Sequence, residues 1–256
     1  MKERVGQEPT KRFSGREADY AKGRPDYPRE LIRVLETHSS FSNRFVVADI
    51  GSGTGKLTTL FLENGNETFA VEPNPDMRRE AERLLGRHTN FHSLPGAAED
   101  TGLPERSVDL VTAGQSFHWF DKPRARREFQ RILRNPGNVV LVWNSRKLEK
   151  GSFGFDYEKL AERNRIESNR WTSGDVESES ISEFFKNKFL KVNLPNKQEL
   201  DLSQLLARIR SASYMPNSGN DAKKLERETR EVFEKHAVRG RVTMDYDTEI
   251  FLGNIL

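Results

Sequence analysis

Apolar positions in the first part of the chain come in short runs closed by turn residues, separated by stretches where they recur every three or four places. The run Phe45, Val46, Val47 and Ala48, continued by Ile50, is rich in β-branched residues and ends in glycines. That pattern suits a strand buried on both faces of a parallel sheet. Lys56 to Leu62 resumes helical spacing. Thr68 to Val71 is a second strand-like run, and Pro73, Asn74 and Pro75 break it and open another helix. With a helix around Pro28 to His38 in front, strand and helix alternate from Phe45 to about Asn144, which implies parallel strands joined by right-handed crossovers.

Beyond Asn144 the rhythm changes. Residues 145–187 hold a polar helix around Phe155 to Asn169, the Ser/Glu-rich stretch SGDVESESIS and few strand signals, so they read as an insertion forming a partial cap. Sheet-compatible sequence returns at Phe189 to Leu194. Helical spacing follows in Leu202, Leu205, Leu206 and Ile209, then a long charged helix from Asp221 to His236. The tail RVTMDYDTEIFLG alternates apolar with polar residues, as an edge strand does.

The candidate chemistry sits where the first strand ends, at DIGSGTGKL. Gly51, Gly53 and Gly55 permit backbone angles and close approaches that a Cβ forbids. Amides of the turn and the first helical residues would face a polar or anionic ligand above the strand. A dinucleotide fingerprint would need glycine where Lys56 stands. A phosphate-binding P-loop would need glycine at Ile50 and a hydroxyl at Leu57. Glu72 follows the second strand at the separation of one crossover. A carboxylate there can accept both hydrogen bonds of an unphosphorylated ribose diol. Met77, on the first turn of the next helix, is placed to lie against an adenine face.

What remains, D-x-G-x-G-x-G after a strand, resembles the first motif of class I S-adenosylmethionine-dependent methyltransferases, here Asp49, Gly51, Ser52, Gly53, Thr54 and Gly55. The likeness runs from about Tyr20 to Gly253 and is closest to the small-molecule methyltransferase group labelled type 11. In GAAEDTGLP, Ala98 and Glu99 match that group's contact to the adenine amino group. VDLVTAGQSFHWF looks like its fourth strand, and the residues after it, Gln115, Ser116, Phe117, His118 and Trp119, would line the floor between cofactor and acceptor. LRNPGNVVLVWN is similar to its LRPGG segment, departing at Asn135 and Asn138. In ADYAKGRPDYP, Tyr20 and Arg24 match a lid that folds over the cofactor's methionine portion, with Arg24 able to make a forked pair with its carboxylate.

The resemblance implies an α/β fold: a Rossmann-like, seven-stranded, mostly parallel sheet with an antiparallel last strand, helices on both faces and a helical insertion late in the chain. It implies one domain over residues 1–256, with residues 1–27 as tail and lid. The implied cofactor is S-adenosyl-L-methionine, with Pro73 and Met77 beside Glu72 in its site and Gln115 at its edge. The implied reaction is methyl transfer to a small molecule at a carboxylate, hydroxyl or activated carbon, with Phe117, His118 and Trp119 facing the acceptor. His118 is the candidate for assisting the acceptor, because it follows the fourth strand and titrates near neutrality.

Composition narrows this picture. The chain has no cysteine, which excludes disulfides, thiolate catalysis and cysteine-held metal. With 42 basic and 39 acidic residues and a formal net charge of +3, nucleic acid is not demanded as a partner. Arg124, Arg126, Arg127, Arg131 and Arg134 read as a solvated helix face. There is no apolar stretch near the length of a membrane span and no signal-peptide pattern, so a cytoplasmic protein is expected. No metal is expected: His88 and His92 straddle a helix-to-strand transition, and Glu177, Glu179 and Glu183 read as a solvated segment. Ser116 lacks a nucleophile elbow. An NAD-linked oxidoreductase and a noncatalytic cofactor-binding module remain as alternatives.

Overall fold

A computed structural model describes residues 14–166 and 178–256. Two short helices, α1 (Glu17–Gly23) and α2 (Glu30–Ser39), precede an alternating block: β1 (Val46–Ile50), α3 (Lys56–Glu63), β2 (Glu67–Val71), α4 (Pro75–Leu85), β3 (Phe91–Leu94), β4 (Val108–Gly114), α5 (Lys122–Ile132) and β5 (Leu133–Arg146). The remainder is α6 (Phe153–Asn164), α7 (Ser178–Phe184), β6 (Leu190–Leu200), α8 (Leu202–Ser211), α9 (Gly219–His236) and β7 (Val242–Gly253). The part of the expected helix beyond 166, and part of SGDVESESIS, lie outside the described residues.

All seven strands form one sheet in the order β3-β2-β1-β4-β5-β7-β6. β1 pairs in parallel with β2 and β4, β2 with β3, and β4 with β5. β7 runs antiparallel to both of its neighbours. The strand order therefore turns back between β1 and β4, and in open α/β sheets the crevice at such a reversal is where ligands bind.

The tail corrects one expectation. It does not form an edge: β7 lies between β5 and β6, and β6 is the outer strand. Its alternation has another cause. The pairing of β5 with β7 covers Val139 to Arg146 against Gly253 back to Tyr246, while β6 pairs with β7 down to Leu200 and Val242. The β6–β7 ribbon thus runs past the carboxyl end of β5. There Val242, Met244 and Tyr246 turn to one side, against Leu160 and Ala161 of α6, Leu205 and Ile209 of α8, and Leu225 and Phe233 of α9. The residues between them stay open to solvent. An inner strand covered on one face alternates just as an edge strand does.

Two other cores cover the sheet. On one face Phe129 and Ile132 of α5 and Ile181 and Phe184 of α7 pack over Val111, Val139 and Leu141. On the other, Leu31 and Leu35 of α2 and Leu57, Leu60 and Phe61 of α3 pack over Val47, Leu110 and Val140. The two helices of the 145–187 segment therefore part company: α6 joins the lobe above the carboxyl end of the sheet, and α7 joins the core under α5. Helix α1 packs on both α4 and α8 and so bridges the sheet's crevice and that lobe.

Candidate functional site

The glycine turn is fastened to the end of β2. The Gly51 and Ser52 amides donate to the Val71 carbonyl at 2.8 and 3.2 Å. Gly51 and Gly53 hold φ at +66° and +58°, in the left-handed region that favours glycine. Their surroundings differ. A Cβ on Gly51 would lie 2.7 Å from the Ser116 Cβ, whereas a Cβ on Gly53 would meet nothing within 4 Å. Gly51 is needed for packing against the segment after β4, and Gly53 lines open space.

Glu72 sits beside that space, as its spacing predicted. One of its carboxylate oxygens accepts the Gly53 amide and the other the Asn74 amide, both at 2.8 Å. A carboxylate offers about four lone-pair positions, so Glu72 shapes the turn and still has acceptor capacity to offer a ligand. Burial raises its pKa, opposed by those two amides and by Arg78, whose guanidinium also donates to the Glu72 carbonyl at 3.0 Å. Asn74 caps α4 by accepting the Asp76 and Met77 amides at 2.9 and 3.0 Å, which sets buried Met77 at the first turn. Pro73, between the two, is half-buried.

Asp49 is 1% exposed. One oxygen accepts the Thr58 hydroxyl at 2.6 Å, and the other is buried without a partner among the described residues. Burial lifts its pKa to about 7, with the Thr58 bond opposing and the Glu72 charge adding. The Ser52 and Thr54 hydroxyl oxygens are likewise buried and unpartnered among the described residues. Buried polar atoms are ordinarily hydrogen-bonded, so these three, at the end of β1 and in the turn after it, are atoms that a bound polar ligand would satisfy.

After β4 the chain turns sharply. Gln115 takes φ +58°, its amide donates to the Val142 carbonyl, and its side chain donates to the Asn144 carbonyl at 3.2 Å. Ser116 donates to the Ile50 carbonyl at 2.8 Å, which ties this turn to the end of β1. A 3-10 turn carries Phe117, His118 and Trp119. Phe117 is fully buried among Phe120, Trp143 and Phe184, with ring centroids 5.0 Å from Phe184. It supports the turn from the core side. His118 and Trp119 remain half-buried with rings 4.7 Å apart. Ala98 is buried against the core, and Glu99 accepts the Asp121 amide at 2.6 Å.

Tyr20 and Arg24 lie on or just after α1. The Arg24 guanidinium stands 5.1 Å over the Tyr20 ring and donates to the Ser211 hydroxyl at 3.2 Å, so this arrangement turns it toward α8. Sequence reading missed Tyr27. Its hydroxyl lies where a Cβ on Gly114 would be, 2.5 Å away. Its pKa is well above the ordinary value through burial, then the nearby Tyr20 and Asp49. Nothing local marks Tyr27, since it meets Asp49 and Gly114 only through the fold. Among the described residues no cluster of three metal-ligating side chains occurs. His92 stacks on Phe69 at 4.7 Å, far along the sheet from any such role.

Residues 48–141 match a family model described as a methyltransferase domain. An uncharacterized methyltransferase of Mycobacterium tuberculosis is 41% identical over 127 residues, 50% of this chain and 49% of that protein. A Saccharomyces cerevisiae protein named as an S-adenosylmethionine-dependent methyltransferase is 31% identical over 129 residues, 48% of this chain and 43% of its own. The chain spans about half the length of the curated relatives it matches. A solved structure from Anaeromyxobacter dehalogenans, named as a type II methyltransferase, superposes with a TM-score of 0.63 over 91% of this chain and 98% of that one, at 23% identity.

Proposed function

We propose that this chain, whose residues 48–141 match a family model described as a methyltransferase domain, is an S-adenosylmethionine-dependent methyltransferase acting on a small molecule. The observation that carries the reading is the turn after β1, where open space at Gly53 adjoins the Glu72 carboxylate and the orphaned oxygens of Asp49, Ser52 and Thr54. Those groups fit the cofactor's adenosyl and amino-acid parts. Glu72 would take the ribose diol, Met77 and Pro73 the adenine face, and Ala98 with Glu99 the adenine amino group. Asp49 and the glycine turn would hold the methionine portion, with Gln115 at its edge and Tyr20 and Arg24 closing over it from α1.

Bound there, S-adenosylmethionine would supply a methyl group on a sulfonium, displaced in line by the acceptor. The chain's share of the work is alignment and exclusion of water. Gln115 and Ser116 fix the floor by bonding to β5 and β1. Trp119 and Tyr20 offer aromatic faces that favour a cation by about 0.5 to 2 kcal/mol. His118 stands after β4, where it would accept the acceptor's proton. Helix α6 serves as the cap and α1 as the lid; the tail before residue 14 lies outside the described residues. The reaction is cytoplasmic and needs no nucleic acid; the small formal net charge of +3 favours the latter.

The test joins binding to turnover. Calorimetry with S-adenosylhomocysteine should give one site per chain, and methyl-labelled cofactor with a metabolite panel should give a labelled product. Binding without product from any acceptor class would leave the noncatalytic module. Reduced nicotinamide binding in its place would favour the oxidoreductase.

A further inference from the structure

The lobe above the carboxyl end of the sheet contains a second set of under-compensated charges, of opposite sign. Arg146, the last residue of β5, pairs with Glu158 of α6 and lies 5.5 Å over the Tyr157 ring. Arg165, just past α6, reaches the other Glu158 oxygen at 4.0 Å and lies 4.8 Å over the Tyr214 ring. Arg208 of α8, 2% exposed, sits between the rings of Tyr157 and Tyr246 at 5.6 and 5.7 Å. Its Nη1 donates to the Gly23 carbonyl and Gln198 Oε1 at 3.2 and 3.3 Å. Among the described residues it forms no ion pair. The Nε atoms of both Arg165 and Arg208 are buried without partners there.

Two of these buried guanidiniums thus share one carboxylate, and the third has none among the described residues. Aromatic faces offset part of an unmatched buried charge, and a second anion would offset the rest. The place is telling. Arg146 follows Asn144 by one turn of strand pleat, and the Asn144 carbonyl holds Gln115 at the floor of the crevice. Tyr157 feels the charges of Arg208, Arg146 and the lid's Arg24. Tyr27, in turn, feels Tyr20 and Asp49. Arg208 donates to the Gly23 carbonyl at the end of α1, and Arg24 donates to the Ser211 hydroxyl of α8, so the arginines abut the lid.

We propose that Arg146, Arg165 and Arg208, with the phenols of Tyr157, Tyr214 and Tyr246, are the recognition wall for an acceptor that carries a carboxylate. The assignment rests on the methyltransferase reading, and it names the substrate class of that site. Planar guanidiniums fork onto carboxylate oxygens. Phosphate oxygens accept the same forks, so the titration sets phosphate against the carboxylates.

The experiment titrates the wild-type protein, saturated with S-adenosylhomocysteine, with benzoate, succinate and citrate, with the neutral benzamide and succinamide, and with inorganic phosphate. At least one carboxylate should bind while its amide does not. Arg165→Gln, near the lobe's surface, should weaken that binding roughly tenfold or more, the worth of one charge-assisted hydrogen bond, with the affinity for S-adenosylhomocysteine unchanged. Arg165→Lys should recover part of the loss. Equal binding of acid and amide, phosphate binding as tight as any carboxylate, no binding across all the carboxylates, or an unaltered Arg165→Gln affinity would each overturn the assignment. If Arg165→Gln melts early, the wild-type panel alone decides. Failure of S-adenosylhomocysteine to bind would instead remove the methyltransferase reading, and the carboxylate titration without it would still judge the wall.

Discussion

The two ends of the crevice bury opposite charges by different means. At the β1–β2 end, Asp49 and Glu72 are held by a hydroxyl and main-chain amides, with Arg78 as a nearby cation. At the β5–β7 end, Arg146, Arg165 and Arg208 are held by aromatic faces, with Glu158 as the one paired anion among the described residues. Packing alone would favour apolar residues at both places, since buried charges are costly. The difference suggests a division of labour: a carboxylate-lined end suited to a ligand with a cationic centre, and a guanidinium-lined end suited to an anion.

The largest effect should come from breaking the buried pair at the guanidinium end. Arg146 and Glu158 have side chains only 10% and 9% exposed. Arg146→Met leaves Glu158 with the more distant Arg165 alone, and removing one partner of a buried pair typically costs about 3 to 5 kcal/mol. Denaturant unfolding of Arg146→Met should register a loss of that size. The double variant with Glu158→Gln should recover much of it. A single variant as stable as wild type would mean the pair is solvated and the lobe open.

At the opposite end, neutralising a charge should stabilise. A carboxyl whose folded pKa stands above its unfolded value binds its proton more tightly when folded. The stability it contributes is therefore fully present below the unfolded value of 3.8 and lost as pH rises through about 7. Asp49→Asn keeps the shape and an acceptor for Thr58. It should gain stability over wild type between pH 4 and 8, by no more than on the order of 4 kcal/mol. Cofactor affinity in the wild type should rise through the same window, because a cationic ligand favours the ionised form, and that rise should vanish in Asp49→Asn. Parallel stability profiles for the two proteins would place Asp49 in contact with water.

Glu72→Ala should weaken cofactor binding by about 1 to 3 kcal/mol, the scale of hydrogen bonds to a charged group. The Gly53 and Asn74 amides lose their acceptor as well. Glu72→Gln, which keeps one amide acceptor, should cost less. Wild-type affinity in Glu72→Ala by calorimetry would contradict the ribose assignment and make Glu72 a brace for the turn.

The carboxylate end was readable in the chain and the guanidinium end was not, for a geometric reason. Asp49, the glycines and Glu72 are brought together by one strand, one turn and one crossover, so fixed spacing carries them. Arg146, Arg165 and Arg208 come from three separate places in the chain and meet Tyr157, Tyr214 and Tyr246 only through the fold. No interval between them records that. Tyr27 escaped notice likewise. The strand–helix alternation gave the parallel sheet because a period survives tertiary context. The place of β7 did not follow from its own alternation, because Val242, Met244 and Tyr246 report which face is covered and not which neighbours are paired. Phe117 illustrates a further limit: in FHW the three side chains of a tight turn point different ways, and only packing decides that Phe117 goes inward against Phe184.

The finest test separates the turn's shape from its occupancy. Valine at Gly53 would be expected to obstruct a ligand and spare the fold, but φ is +58° there, and a β-branched residue is strained at that angle whatever the space. Alanine isolates the two effects. At Gly53 its Cβ meets nothing within 4 Å, so Gly53→Ala should cost only the left-handed backbone penalty, about 1 kcal/mol of stability. Its methyl group then projects into the space assigned to the ligand, and S-adenosylhomocysteine affinity should fall by more than stability does. Gly51→Ala meets Ser116 at 2.7 Å and should reverse that order, losing more in unfolding free energy than Gly53→Ala. If Gly53→Ala bound the ligand as wild type does, the open space beside Glu72 would not be where the ligand lies, and the carboxylate end would lose its claim to the cofactor.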